Sequence, residues 1–259
     1  MTTLLTGGDS FTAHIMEDNM AWPNHINKAK DPWKECKVIN VSEMASDNVL
    51  IARNVIRGLQ KHRENIHSEG ITHVIIGWSD PNRFSLYVNQ EHPLYMDIYE
   101  TMKDEAGFTN QILTGKWHCS TKGSFIKPGG GYDVWKTKSD IVNKLVKDYI
   151  KNYHTREEQM MRTLESILLV QQYCKACDIQ LLNFKAWDTD LFRTEYPMTK
   201  HLEKLIDKDT WWFYNKKSGM KEWCIGKGLE DMPGGHPATE AQYLFAISVI
   251  EPWLFELED

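Results

Sequence analysis

Two short stretches of this chain set a reactive side chain within two residues of a pair of glycines: Gly7-Gly8-Asp9-Ser10 and Gly234-Gly235-His236-Pro237. Ser10 follows the short apolar run Leu4-Leu5-Thr6, at a point where a strand stops and a helix can begin. Gly7 and Gly8 permit backbone angles and close approaches that a Cβ resists. A serine in such a turn offers a hydroxyl nucleophile and its own N–H to a developing oxyanion. The same residues also read as a helix start, because Asp9 or Ser10 makes a good N-cap, and His236 reads as a cap of the final helix. Cys174-Lys175-Ala176-Cys177 has redox or zinc spacing, but no second pair follows it. Gly129-Gly130-Gly131 after Lys127 lacks the GxxxxGK or GxGxxG pattern of a phosphate-binding loop, and the histidines show no HExxH spacing. No cofactor and no metal is expected.

The elements that must position these residues follow from periodicity. The opening run is a strand, residues 13–35 are irregular or partly helical around Trp22-Pro23, and Lys37–Val41 is a second, β-branched strand. Ile51, Val55, Ile56 and Leu59 recur at helical spacing and predict a helix from Asn48 to about His62, with Ser46 or Asp47 as its N-cap. Thr72–Trp78 has the pattern of a buried strand and ends in the loop Ser79-Asp80-Pro81-Asn82-Arg83. Strand, helix and strand at this spacing predict a βαβ unit in a parallel sheet. Residues 84–137 break the rhythm. They carry Tyr87, Tyr95, Tyr99, Trp117, Tyr132 and Trp135 and read as an insertion over one sheet edge, lining a cleft or forming a small core of its own. A long helical pattern covers 139–175 with a bend at Tyr153-His154-Thr155; a strand follows at 178–184, and Trp211-Trp212-Phe213 is a short edge strand. Pro237 falls in the first turn of a final helix that runs through Ile250 and reads as apolar on most faces. The expectation is a single α/β domain over 1–259 with an insertion at about 84–137.

Composition excludes several classes. The 259 residues are 41% hydrophobic and 25% charged, as in an ordinary globular protein, and the formal net charge is −6. An acidic balance argues against nucleic acid and anionic membranes as partners. No apolar run reaches the length of a membrane-spanning helix and no signal peptide opens the chain, so a cytoplasmic location is expected. The five cysteines are an odd set and read as free thiols rather than a disulfide framework.

Taken together, Gly8-Asp9-Ser10 at one end and His236-Pro237 at the other resemble the SGNH (GDSL-type) hydrolases. Two middle stretches extend the resemblance: Ala45-Ser46-Asp47-Asn48-Val49-Leu50-Ile51-Ala52-Arg53 is similar to the second family block, and Ile75-Ile76-Gly77-Trp78-Ser79-Asp80 to the third. The variant is similar to those often found in bacteriophages, which implies the host cytoplasm or a virion as its location. The family implies a three-layer α/β/α flavodoxin-like fold with a central parallel sheet. It also implies ester hydrolysis through an acyl-serine, here on a small ester or an acylated glycan such as an O-acetylated carbohydrate. Under the resemblance Ser10 is the nucleophile and first oxyanion donor, and His236 is the general base. The position three before His236, where the family has an aspartate, holds Pro233, which leaves Asp231 to orient the imidazole. The second-block glycine corresponds to Ala45 or Ser46, and the third-block asparagine to Ser79, with Asn48 or Asn82 as substitutes for its donor. These departures also suit a second reading, a weak or inactive module that binds glycan or builds a virion, alone or as a homo-oligomer.

Overall fold

The computed structural model describes residues 3–13, 21–26, 36–44, 46–63, 70–89, 93, 123–126, 140–192, 196–229, 231–232 and 235–256. Its centre is a five-stranded parallel sheet. In chain order the elements are β1 (Thr3–Gly8), α1 (Pro23–Ile26), β2 (Lys37–Asn40), α2 (Asn48–Arg63), β3 (His73–Trp78), β4 (Leu86–Asn89), β5 (Gly123–Ile126), α3 (Asp140–Asn152), α4 (Arg156–Ala176), β6 (Gln180–Lys185), α5 (Pro197–Glu203), β7 (Trp211–Trp212), α6 (Met220–Gly226), β8 (Asp231–Met232), β9 (His236–Pro237), α7 (Thr239–Phe245) and α8 (Glu251–Glu256). The sheet runs β2-β1-β3-β6-β7, with each neighbouring pair parallel. This is the flavodoxin-like order, and the fold is the expected α/β architecture with helices on both faces.

The alternation of side chains along the strands divides the interior in two. Leu5, Val74, Ile76 and Leu181 point to the face covered by α2 and α4, where they meet Ile51, Val55, Leu59, Leu164, Ile167 and Val170. Leu4, Ile75, Leu182 and Phe184 point to the other face, where Trp22, Ile26, Met220, Trp223, Phe245 and Ile250 cover them. Trp78 Nε1 donates to Asn183 Oδ1 at 2.8 Å and Asn183 Nδ2 donates to Thr210 Oγ1 at 3.1 Å, whereas Trp211 Nε1 is buried with no partner among the described residues.

Local chemistry fixes the helix ends. Asp47 caps α2 by accepting the Leu50 N–H at 2.8 Å, and the last turn of α2 carries Lys61, His62 and Arg63, which complements the helix dipole. The long helical pattern is broken at Tyr153–Thr155, as the sequence predicts, because Thr155 caps α4 by accepting the Glu158 N–H.

Two expectations change. His236-Pro237 does not open the final helix: it is β9, paired antiparallel with β8 in the register Asp231↔Pro237 and Met232↔His236. Gly235, at φ 75°, folds the chain back, and Pro237 disfavours helical geometry at His236, so the helix begins two residues later at Thr239. That segment is also buried on one side only. Ala241, Phe245, Ala246, Val249 and Ile250 are inside, whereas Tyr243 is exposed, and a π-helical turn at Ala246–Ile250 joins α7 to α8. Within the 84–137 segment, β4 and β5 form an antiparallel pair apart from the main sheet. Tyr95, Tyr99, Trp117, Tyr132 and Trp135 lie outside the described residues.

Candidate active site

The strand order reverses beside β1, and the groups that follow the carboxyl ends of β1 and β3 meet there, where open α/β sheets place their ligands. Gly7 allows α2 to lie close against β1, since a Cβ at that position would sit 2.3 Å from Val55 Cγ2. After Gly8 the chain makes a single tight turn. The Thr12 and Ala13 N–H groups donate to Asp9 O at 3.0 and 2.8 Å, and the Phe11 N–H donates to Asp9 Oδ1 at 3.0 Å. This Asx geometry projects Ser10 from the turn. Among the described residues no acceptor takes the Ser10 N–H.

Ser10 Oγ lies 2.7 Å from His236 Nε2, although 226 residues separate the two. With the ring proton on Nδ1, Nε2 accepts from the hydroxyl, the arrangement that a general base needs before it takes the serine proton. Ser10 is 7% exposed, and the His236 ring packs on Phe11 with centroids 5.1 Å apart. Phe11 in turn meets Trp187 at 5.2 Å, so two aromatic rings wall this side of the pair.

The other predicted residues take different places. Asp231 stands across from Pro237 in the β8–β9 hairpin, one register position from His236. Ala45 lies outside the described residues. Ser46 is buried, and its hydroxyl has no hydrogen-bond partner among the described residues. The loop that carries it is tied to the end of β1 by the Glu43 N–H, which donates to Gly8 O at 3.2 Å. Asn48 reaches across to the third block: Oδ1 accepts the Ser79 N–H at 2.8 Å, while Nδ2 donates to Ser79 O at 3.1 Å and Thr163 Oγ1 at 3.2 Å. Both amide hydrogens are engaged, so Asn48 fastens the two loops together. Ser79 Oγ donates to Asp9 Oδ2 at 2.9 Å, which commits its proton as well. Asn82 closes a turn on Asp80, donating to Oδ1 from its N–H at 2.7 Å and from Nδ2 at 2.9 Å.

Asp9 is therefore the hub. Its carboxylate is wholly buried and takes a third donor, Arg83 Nη1, at 3.0 Å. The Arg83 guanidinium lies over the Trp187 ring, 4.9 Å from its centroid. Phe11, Arg83 and Trp187 were not foreseen as site residues. Only the glycine pair before Ser10 and the loop chemistry after Trp78 mark the places where they converge.

Asp47, beside this site, is a buried carboxyl. Burial pushes its pKa above the usual carboxylate range, and hydrogen bonds from the Leu50 and Ser85 backbone and the charge of Arg53 pull the other way. A folded pKa above the unfolded one means that its contribution to stability is complete below the ordinary carboxylate value and is lost as pH rises through the folded value. Asp47→Asn keeps an N-cap and removes the buried charge. It is expected to raise Tm at neutral pH and to change it little in mild acid; an equal Tm difference at both pH values would contradict this account.

Cys36, Cys174, Cys177 and Cys224 form no disulfide with one another. Burial, then the neighbouring Cys177, pushes the Cys174 thiol up to about 12, and the pair sits at the amino end of the sheet, away from Ser10. Among the described residues no three His, Cys, Asp or Glu side chains are grouped to hold a metal ion, and no helix is long and apolar enough to cross a membrane.

No family model matches the chain, and no curated protein does. Among solved structures it is similar to the psychrotrophic esterase EstA from Pseudoalteromonas sp., in a crystal form inhibited by monoethylphosphonate. That likeness has 12% sequence identity and a TM-score of 0.48, over 98% of this chain and 99% of that one.

Proposed function

We propose that this chain is a serine hydrolase that cleaves a small ester, with an O-acetyl group on a carbohydrate as the substrate class. The observation that carries the reading is the 2.7 Å contact between Ser10 Oγ and His236 Nε2 at the carboxyl end of the parallel sheet. Ser10 Oγ attacks the carbonyl carbon while His236 takes its proton. The C–O bond to the alcohol then breaks, and His236 returns that proton to the departing oxygen. In the second half a water molecule loses a proton to His236 and attacks the acyl carbon; the bond from that carbon to Ser10 Oγ breaks and His236 returns the proton to Oγ, which frees the acid and restores Ser10. The free Ser10 N–H is the first oxyanion donor. Asp231, in the strand paired with that of His236, is the group we assign to orient the imidazole. Phe11 and Trp187 supply apolar walls suited to a small acyl group next to a sugar ring.

A fluorophosphonate probe tests this reading directly. The folded protein is expected to be labelled and Ser10→Ala to remain unlabelled; equal labelling of the two, or none of either, would end the proposal.

A further inference from the structure

A cationic side chain with no part in the reaction above lies buried at the carboxyl end of the sheet. Lys185 is the last residue of β6, in register with Trp78 of β3, and its side chain is only 2% exposed. Taking an ammonium out of water is costly unless its protons find acceptors. Here Nζ donates to Asp188 Oδ1 at 3.3 Å and to Thr189 O at 3.1 Å, so the chain turns back around the ammonium directly after the strand. Trp187 lies in the middle of that turn. An apolar side chain of similar volume often serves stability as well as a buried ion pair does, so stability alone does not account for this lysine.

The turn is fixed on both sides of Trp187. Before it, the Ala186 N–H donates to Trp78 O at 2.9 Å, and Ala186 O accepts the Lys221 N–H at 3.0 Å. After it, the Lys185 ammonium holds residues 188 and 189, and Asp190 pairs with Arg156 at the start of α4. The half-buried Trp187 ring therefore stands in one place, 5.2 Å from the Phe11 ring and with the Arg83 guanidinium 4.9 Å from its centroid. Phe11 follows Ser10 in the chain and packs on the His236 ring at 5.1 Å. The direction matters for an ester. His236 hands its proton to the departing oxygen, so the alcohol half lies on the imidazole side of Ser10, and Trp187 stands on that side, next to Phe11. The C–H face of a sugar ring is apolar and matches the face or edge of an indole.

We propose that Trp187 is the platform for the alcohol half of the ester, a sugar ring, and that Lys185 is the positioning residue that holds this platform beside Ser10 and His236. The assignment rests on the reading of Ser10 as the nucleophile of an ester hydrolase. Trp187 meets the alcohol in the bound ester and in the transition state alike, so loss of the platform raises KM more than it lowers kcat.

The test compares two acetate esters of aliphatic alcohols, a mono-O-acetylated methyl pyranoside and ethyl acetate, in the wild type, Trp187→Ala, Lys185→Met and the double variant. Trp187→Ala is expected to lower kcat/KM on the pyranoside by about 3- to 10-fold, chiefly through KM, with a smaller loss on ethyl acetate, so that the pyranoside-to-ethyl ratio falls. Lys185→Met, which replaces the ammonium by an apolar chain of similar length, is expected to lower the same ratio, and the double variant to lower it no further than Trp187→Ala alone. An equal loss on both esters in Trp187→Ala, or a wild type that cleaves ethyl acetate and not the pyranoside, would overturn the platform. A wild-type ratio in Lys185→Met, or losses that multiply in the double variant, would show that the lysine does not act through Trp187 and would overturn its role. Should Lys185→Met fail to fold, Lys185→Met/Asp188→Ala removes both ends of the ion pair, leaves no unpaired charge and is read by the same ratio. A wild type that hydrolyses neither ester and takes no fluorophosphonate would remove the nucleophile reading itself; an active wild type with unshifted ratios removes only the roles of Trp187 and Lys185.

Discussion

Replacing His236 by alanine is expected to lower kcat for aryl acetate hydrolysis by about 10⁴-fold or more, and adding Ser10→Ala to that variant is expected to cost almost nothing further. In the proposed reaction the two side chains act as one device: the hydroxyl is a poor nucleophile unless Nε2, 2.7 Å away, accepts its proton. Losses that multiplied in the double variant would mean two independent contributions and would contradict the pairing. Steady-state kinetics on the two single variants and the double variant decide it, with circular dichroism to show that each is folded.

Asp9→Ala is expected to have the largest effect on stability. The wholly buried carboxylate joins three parts of the site: the turn after Ser10 through the Phe11 N–H, the third block through Ser79 Oγ, and the loop beyond it through Arg83 Nη1. Its removal leaves a guanidinium that is 14% exposed without its counter-ion, and a buried hydroxyl without its acceptor. Breaking one side of a buried ion pair costs about 3–5 kcal/mol. In a chain of this size each kcal/mol lowers Tm by about 2–4 °C, so thermal unfolding is expected to shift down by roughly 6–20 °C. Asp9→Asn keeps an acceptor for the Phe11 N–H and is expected to fall by less. An unchanged Tm in Asp9→Ala would show that the hub is not structural.

The regular elements were legible because their signals are local. Alternation in Leu4-Leu5 and Val74-Ile75-Ile76 sorts side chains to two faces of the sheet, and Thr155 marks the break between α3 and α4 by its own hydroxyl. The hairpin at 231–237 was misread for an equally local reason. Proline is as compatible with the first turn of a helix as with a short strand, and the choice was made by pairing with Asp231 and Met232. Ser10 and His236 were legible as residues but not as a contact. Arg83 was legible as neither, since its partner Asp9 lies 74 residues away and its stacking partner Trp187 lies on the far side of β6 in the chain. The part played by Asn48 was similarly hidden. An asparagine at the start of a helix suggests a free amide, whereas here it clasps the backbone of Ser79.

The layer opposite α2 and α4 combines residues from both extremes of the polypeptide: Phe11, Trp22 and Ile26 interlock with Phe245, Val249 and Ile250. Synthesis on a ribosome proceeds from the amino end, and 226 residues separate Ser10 from His236, so Ser10 is made well before the imidazole it meets. Until Phe245, Val249 and Ile250 follow, that side of the sheet lacks part of its cover. Under the proposed reaction, Ser10 gains its base only as the segment after His236 closes that layer.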